Sequence, residues 1–200
     1  MQAIGLFGGT FDPIHNDHLR IARIFADELA LESVIFLPAG DPYHKDRPRT
    51  PARHRLAMAE RAVAADARFA VSDCDMVRDG ATYTYDTVQI FRQHFPAARL
   101  WFLLGMDSLL QLHTWHRWQD LVRQAGLAVA PRSGFSLAQV PPPLQEWLAG
   151  ALTEGRVRIL PAEAQDISST AIRRELAEQG VSGAVPPAVN EYIRQHGLYR

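Results

Sequence analysis

The chain has 200 residues, 47% of them apolar and 22% charged, enough for one compact domain with a sizeable core or one carrying a small appendage. Its 21 basic and 22 acidic residues leave a net charge of −1, which excludes a global pull toward nucleic acid or an anionic membrane and makes any anion site local. Cys74 is the only cysteine, so an internal disulfide framework and thiolate-cluster metal sites are excluded, and a reducing cytoplasm is the expected compartment.

The first residues lack the basic and long apolar segments of a secretory leader, and none is expected. The densest apolar run, Leu100 to Leu104, is far shorter than the roughly 20 residues a bilayer requires. No fixed-period repeat and no low-complexity segment occurs, Pro141 to Pro143 being a short break.

In chain order, short apolar runs stand at Ala3–Phe7, Val34–Leu37, Phe69–Val71, Leu100–Leu104, Leu127–Ala130 and Val157–Leu160. Continuous rather than alternating runs predict strands buried on both faces. Between them, Leu19, Ala22, Ile24, Phe25 and Leu29 share a helical face, and Thr87, Val88, Ile90 and Phe91 mark another. Alternating strand and helix predict an α/β fold, a doubly wound parallel sheet. From about Ser168 onward two helices are expected, split near Gly180 to Pro187, as a small helical C-terminal subdomain (168–200) beside an α/β domain (1–167).

Ligands of such sheets bind beyond the carboxyl ends of the strands, so the informative loops are GGTFDPIH, PAGDPYHK, GMDS, PRSG and DISSTAIRR. Gly8 and Gly9 end the first run, where glycine permits positive φ and a close approach to bare backbone. Asp12-Pro13 turns the chain toward a helix whose free N–H groups attract phosphate. His15 and His18 are three residues apart, about 60° on a helical wheel, and serve either as donors to phosphate oxygens or as metal ligands. Asp17, by the same wheel, need not face a bound anion. Neither the dinucleotide GxGxxG nor the P-loop pattern occurs. Ser168, Ser169 and Thr170 are candidate helix caps, while Arg173 and Arg174 oppose the helix dipole unless a polyphosphate is bound.

GGTFDPIHNDH with ISSTAIR resembles the HxGH-type nucleotidylyltransferase superfamily, whose sheet is Rossmann-like. Within it, PAGDPYHK, TYTYDT, GMDSL, Thr114-Trp115 and the ending YIRQHGLYR are similar to the bacterial nicotinate-nucleotide adenylyltransferases, in that family's order and over nearly the whole chain. The resemblance implies transfer of the adenylyl group of ATP to nicotinate mononucleotide, giving nicotinate adenine dinucleotide and pyrophosphate in NAD biosynthesis. It implies catalytic roles for His15, His18, Lys45 and Arg173. It assigns Gly8, Gly9, Thr10, Phe11, His15, His18, Gly105, Ser168, Ser169, Thr170 and Arg173 to ATP. To nicotinate mononucleotide it assigns His44, Lys45, Thr84, Tyr85, Asp107, Trp115, His116 and Arg132. Mg²⁺ is expected on the ATP phosphates without a dedicated protein site, and a homo-oligomer is left open. Asp17 departs from the motif, which has glycine there. Competing readings are an adenylyltransferase for another phosphorylated acceptor such as phosphopantetheine or flavin mononucleotide, a non-catalytic nucleotide sensor, and a metal hydrolase built on the two histidines.

Overall fold

The computed structural model describes residues 2–40, 50–78, 81–162 and 167–200. Six parallel strands, β1 (Ala3–Gly9), β2 (Ser33–Pro38), β3 (Phe69–Val71), β4 (Arg99–Gly105), β5 (Gly126–Ala130) and β6 (Val157–Ile159), lie in the order β3-β2-β1-β4-β5-β6. Each coincides with one of the six apolar runs. The order reverses between β1 and β4, whose register pairs Leu6 with Phe102, so a crevice opens beyond the carboxyl ends of these two strands.

Alternate residues of the central strands face opposite cores, while Ala70 of β3 and Arg158 of β6 are exposed at the sheet edges. Val34 and Phe36 of β2, with Trp101 and Leu103 of β4, join α1 (Asn16–Glu28), α2 (Ala52–Val63), α7 (Ser169–Gln179) and α8 (Pro187–His196). Ile35 and Leu37, with Leu100, Phe102 and Leu104, join α3 (Thr84–His94), α4 (Met106–Leu110), α5 (Trp118–Gln124) and α6 (Pro142–Thr153). Both faces are covered over the central strands, which is why their runs are continuous.

The C-terminal helices share the first core, with Ile172, Leu176, Val189 and Ile193 buried among side chains of α1 and α2. Gly180 ends α7 at φ 75°, a left-handed cap that glycine adopts without strain. The proline cluster has a constructive role as well as a breaking one: Pro142 opens α6, where a missing N–H costs no intrahelical bond. The buried face of α2 carries Arg55 alongside Met58, Ala59, Ala62 and Val63. No helix among the described residues is long and apolar enough to cross a membrane.

Candidate active site

The turn after β1 shapes the crevice. Gly8 and Gly9 are extended strand residues; the left-handed residue is Phe11, at φ 49°. Glycine is required at position 9 for space instead, since a Cβ there would lie 2.9 Å from the Phe11 ring. Phe11 is buried and turns its ring edge onto His18, centroids 5.0 Å apart.

Three side chains from distant parts of the chain brace this turn. Arg55 is fully buried and donates to the carbonyls of Thr10 (2.8 Å), Thr50 (2.9 Å) and Gly40 (3.3 Å). Arg173 donates to the Asp12 carbonyl at 2.8 Å and to the Thr170 hydroxyl at 3.1 Å. Tyr199 donates its phenolic proton to the Asp12 carboxylate at 2.5 Å. The conflict of Arg173 with the α7 dipole is thus met by a carbonyl of the turn.

His15 is the extended residue before α1, not its first helical one. Its backbone N–H donates to His18 Nδ1 at 3.2 Å, which leaves the proton of a neutral His18 on Nε2. The two rings stack with centroids 3.6 Å apart. Burial pushes His15 down to about 4, against a smaller opposing pull from Asp17, and burial followed by the His15 charge holds His18 well below its usual value. Both are therefore neutral donors near pH 7. His15 Nδ1 is buried without a hydrogen-bond partner among the described residues.

These histidines line a cavity of about 440 Å³ with Thr10, Phe11, Gly105, Arg132 and the Ser168–Thr170 segment. Ser168 caps α7 by accepting the Ala171 N–H at 3.1 Å, so the hydroxyls and first-turn amides beyond it remain at the cavity wall. Asp17 lines the same cavity, contrary to the helical-wheel expectation, and is paired with Arg20 at 2.7 Å. The wheel assumed a helix through His15; with His15 outside it, the geometry changes.

A second cavity of about 340 Å³ lies across β1 and β4, lined by Gly8, Gly9, Thr84, Trp115, Asp75 and Thr82. The two share Phe7, Thr10, Leu103, Leu104 and Gly105. A recess of about 250 Å³ continues it between Thr84, Trp115 and His116, where the Tyr83 and His116 rings lie 4.4 Å apart. Gly8 and Gly9 thus sit on the Thr84 side, and Arg132 sits on the histidine side. Asp107 pairs with Arg132 at 2.9 Å, while its other oxygen is buried without a partner among the described residues. Tyr85 lies beneath the Arg117 guanidinium at 4.2 Å rather than on a cavity wall, and Arg173 lines neither cavity. His44 and Lys45 lie outside the described residues. A further cleft of about 770 Å³ between Trp118 and Trp147 is formed by α5, α6 and Arg156 and does not reach the strand ends.

Residues 6–175 match the model of the cytidylyltransferase-like family. A probable nicotinate-nucleotide adenylyltransferase of Neisseria meningitidis serogroup C is 64% identical over 199 residues, covering 100% of this chain and 99% of that protein. A protein of the same name from Chromobacterium violaceum is 47% identical over 208 residues, covering 98% of each. The chain belongs to the nicotinate-nucleotide adenylyltransferases. The fold agrees: a solved Plasmodium falciparum nicotinic acid mononucleotide adenylyltransferase complexed with NaAD superposes with a TM-score of 0.77 at 19% identity, over 100% of this chain and 98% of that one. A putative nicotinate-nucleotide adenylyltransferase from Vibrio parahaemolyticus gives 0.66 at 17% identity, over 100% and 96%.

Asp12, Arg55, Asp75, Arg78, Thr87 and Tyr199 carry no site role in the sequence reading. Asp12, Thr87 and Tyr199 fall inside quoted motifs, which is the available signal. Arg55 had none, because an arginine in a helix reads as solvated.

Proposed function

We propose that this chain transfers the adenylyl group of ATP to nicotinate mononucleotide in the cytoplasm, releasing pyrophosphate. The observation that carries this reading is the pair of cavities meeting at Thr10 and Gly105, one holding two neutral histidines and the other Thr84 and Trp115. The naming of the 64% identical relative and the Plasmodium falciparum structures complexed with NaAD and with APC support it.

A phosphate oxygen of the acceptor attacks the α-phosphorus of ATP in line; the bond to the bridging oxygen breaks and pyrophosphate leaves with its electron pair. The protein positions both groups and stabilises spreading charge. His18 Nε2–H and His15 donate to phosphate oxygens, Arg132 adds a cation at the rim, and residues 168–200 complete the ATP site through Ser168, Ser169 and Thr170. Arg173 acts by holding the turn and Thr170. The roles of Gly8 and Gly9 become those of the wall shared with the acceptor. Trp115, Thr84 and His116 enclose the nicotinate ring. His44 and Lys45 keep the phosphate roles that their motif implies.

Mg²⁺ enters as part of the substrate. A hard cation takes oxygen ligands, and the partnerless Asp107 oxygen suits one, whereas Asp17 and the other Asp107 oxygen are engaged by arginine. Most of its ligands would then be phosphate oxygens, whose negative charge the cation would partly neutralise.

Pyrophosphate release, assayed with ATP, Mg²⁺ and nicotinate mononucleotide, nicotinamide mononucleotide, phosphopantetheine or flavin mononucleotide, tests the reading. Nicotinate mononucleotide should be used best. ATP binding without pyrophosphate release, or a preference for another acceptor, would overturn it.

A further inference from the structure

Outside the residues already assigned, one polar cluster reaches the acceptor cavity. Asp75 is a carboxylate on its wall. Arg78 Nη2 lies 2.6 Å from Asp75 Oδ1 and 2.7 Å from Thr87 Oγ1, and the Thr87 hydroxyl closes the triangle by donating to Asp75 Oδ1 at 2.6 Å. Thr87 is fully buried in the first turn of α3, whose start supplies Thr84 to the same cavity. The triangle therefore does two things. It ties the 75–78 turn to α3, fixing two walls of the cavity. It also sets a cation against a carboxylate that would otherwise repel an anionic acceptor.

We propose that Arg78 is a specificity-determining positioning residue: by neutralising Asp75 and holding Thr87, it lets the Thr84 and Trp115 cavity accept a pyridine nucleotide whose ring carries a carboxylate. Arg78 itself does not line the cavity and acts through Asp75. The inference deepens the proposed function and rests on this cavity being the acceptor site.

The charge argument separates acceptors that differ only in the ring substituent. In Arg78→Met, KM for nicotinate mononucleotide should rise about tenfold or more with a smaller change for nicotinamide mononucleotide, so that the ratio of their kcat/KM values falls about fivefold or more. Arg78→Lys, which keeps the cation, should retain the ratio. Asp75→Asn combined with Arg78→Met removes both charges and should return the ratio toward that of the unaltered protein. Thr87→Val, which breaks the tie and leaves the ion pair, should lower both acceptors alike. ATP affinity by calorimetry should stay within about twofold in Arg78→Met, since the histidine-lined cavity is not involved. An equal loss for both acceptors in Arg78→Met, a ratio not recovered in the double variant, or loss of ATP binding would overturn the inference. Failure of the unaltered protein to adenylylate either acceptor would instead remove the proposed function.

Discussion

His18 Nδ1 accepts the His15 amide and is turned away from donor duty, so only Nε2–H is available to a phosphate oxygen. That donor is fixed before substrate arrives, the condition under which one hydrogen bond contributes most to a transition state. His18→Ala should lower kcat by roughly 10²-fold with a small change in melting temperature; unchanged turnover in a folded variant would limit His18 to packing against Phe11. Asp17 raises the opposite issue. Its carboxylate lines the histidine cavity, and Arg20 at 2.7 Å offsets it, which weakens the repulsion a bare charge would exert on a bound anion. Asp17→Gly makes the cavity more positive by one charge, so ATP affinity should tighten about 3- to 10-fold, or about 0.7 to 1.4 kcal/mol. The unliganded fold should lose about 1 kcal/mol through helix propensity and the acidic first-turn residue. Calorimetry with ATP beside a melting curve measures both, and weaker ATP binding would show that Asp17 contacts the nucleotide favourably.

The turn between β1 and α1 is an element without regular hydrogen bonding of its own, and its shape comes from elsewhere. Arg55 in α2 supplies donors to three carbonyls around it, those of Thr10, Gly40 and Thr50. A buried carbonyl left without its donor costs about 1 to 3 kcal/mol. Arg55→Met should therefore destabilise the protein by about 3 kcal/mol or more in a denaturant titration, with weaker ATP binding in whatever remains folded. Tyr199 acts from the other end of the chain: burial and then the Asp12 hydrogen bond push its phenol well above the usual range, so it stays a donor at every practical pH. Tyr199→Phe leaves the buried Asp12 carboxylate short of a charge-assisted bond and should cost about 1.5 to 3 kcal/mol. ATP affinity should fall with it as the turn loosens; unchanged stability would show that the contact adds nothing. On the segment after β3, burial and the Asp75 charge push the Cys74 thiol up to about 11. Alkylation at pH 7.5 should be roughly 100-fold slower than for an unperturbed thiol; rapid labelling would contradict that assignment.

Across the whole molecule, the two histidines couple the site to stability. Folded His15 takes a proton only near pH 4, whereas the unfolded chain takes it near the usual value of 6.5. The unfolded state thus binds more protons between those values, so stability is intact above about pH 6.5 and falls as pH drops toward about 4. Relative to His15→Gln, the slope should be steeper by up to about 1.4 kcal/mol per pH unit in that window, measured by urea titration at several pH values; parallel profiles would refute the assignment. The sheet behind the site was legible from the sequence. The apolar runs became the strands of one parallel sheet because burial is written locally along a run, most fully in the central strands, while the edge strands β3 and β6 each expose their middle residue. The loops lining the candidate site were legible for a similar reason, since ligands of such a sheet meet the carboxyl ends of its strands. His15, His18, Ser168, Thr84 and Trp115 all stand there. Only tertiary structure decided how those residues divide, with Gly8 and Gly9 facing Thr84 while Arg132 joins the histidines. Spacing along a chain does not say which side of β1 and β4 a loop falls on. It also decided that Asp17 faces the cavity against Arg20, that Arg55 is buried, and that Arg173 reaches Asp12 across 161 positions. Such contacts depend on the folded path of the whole chain, and a charged side chain carries no local mark of whether a distant carbonyl or carboxylate will meet it.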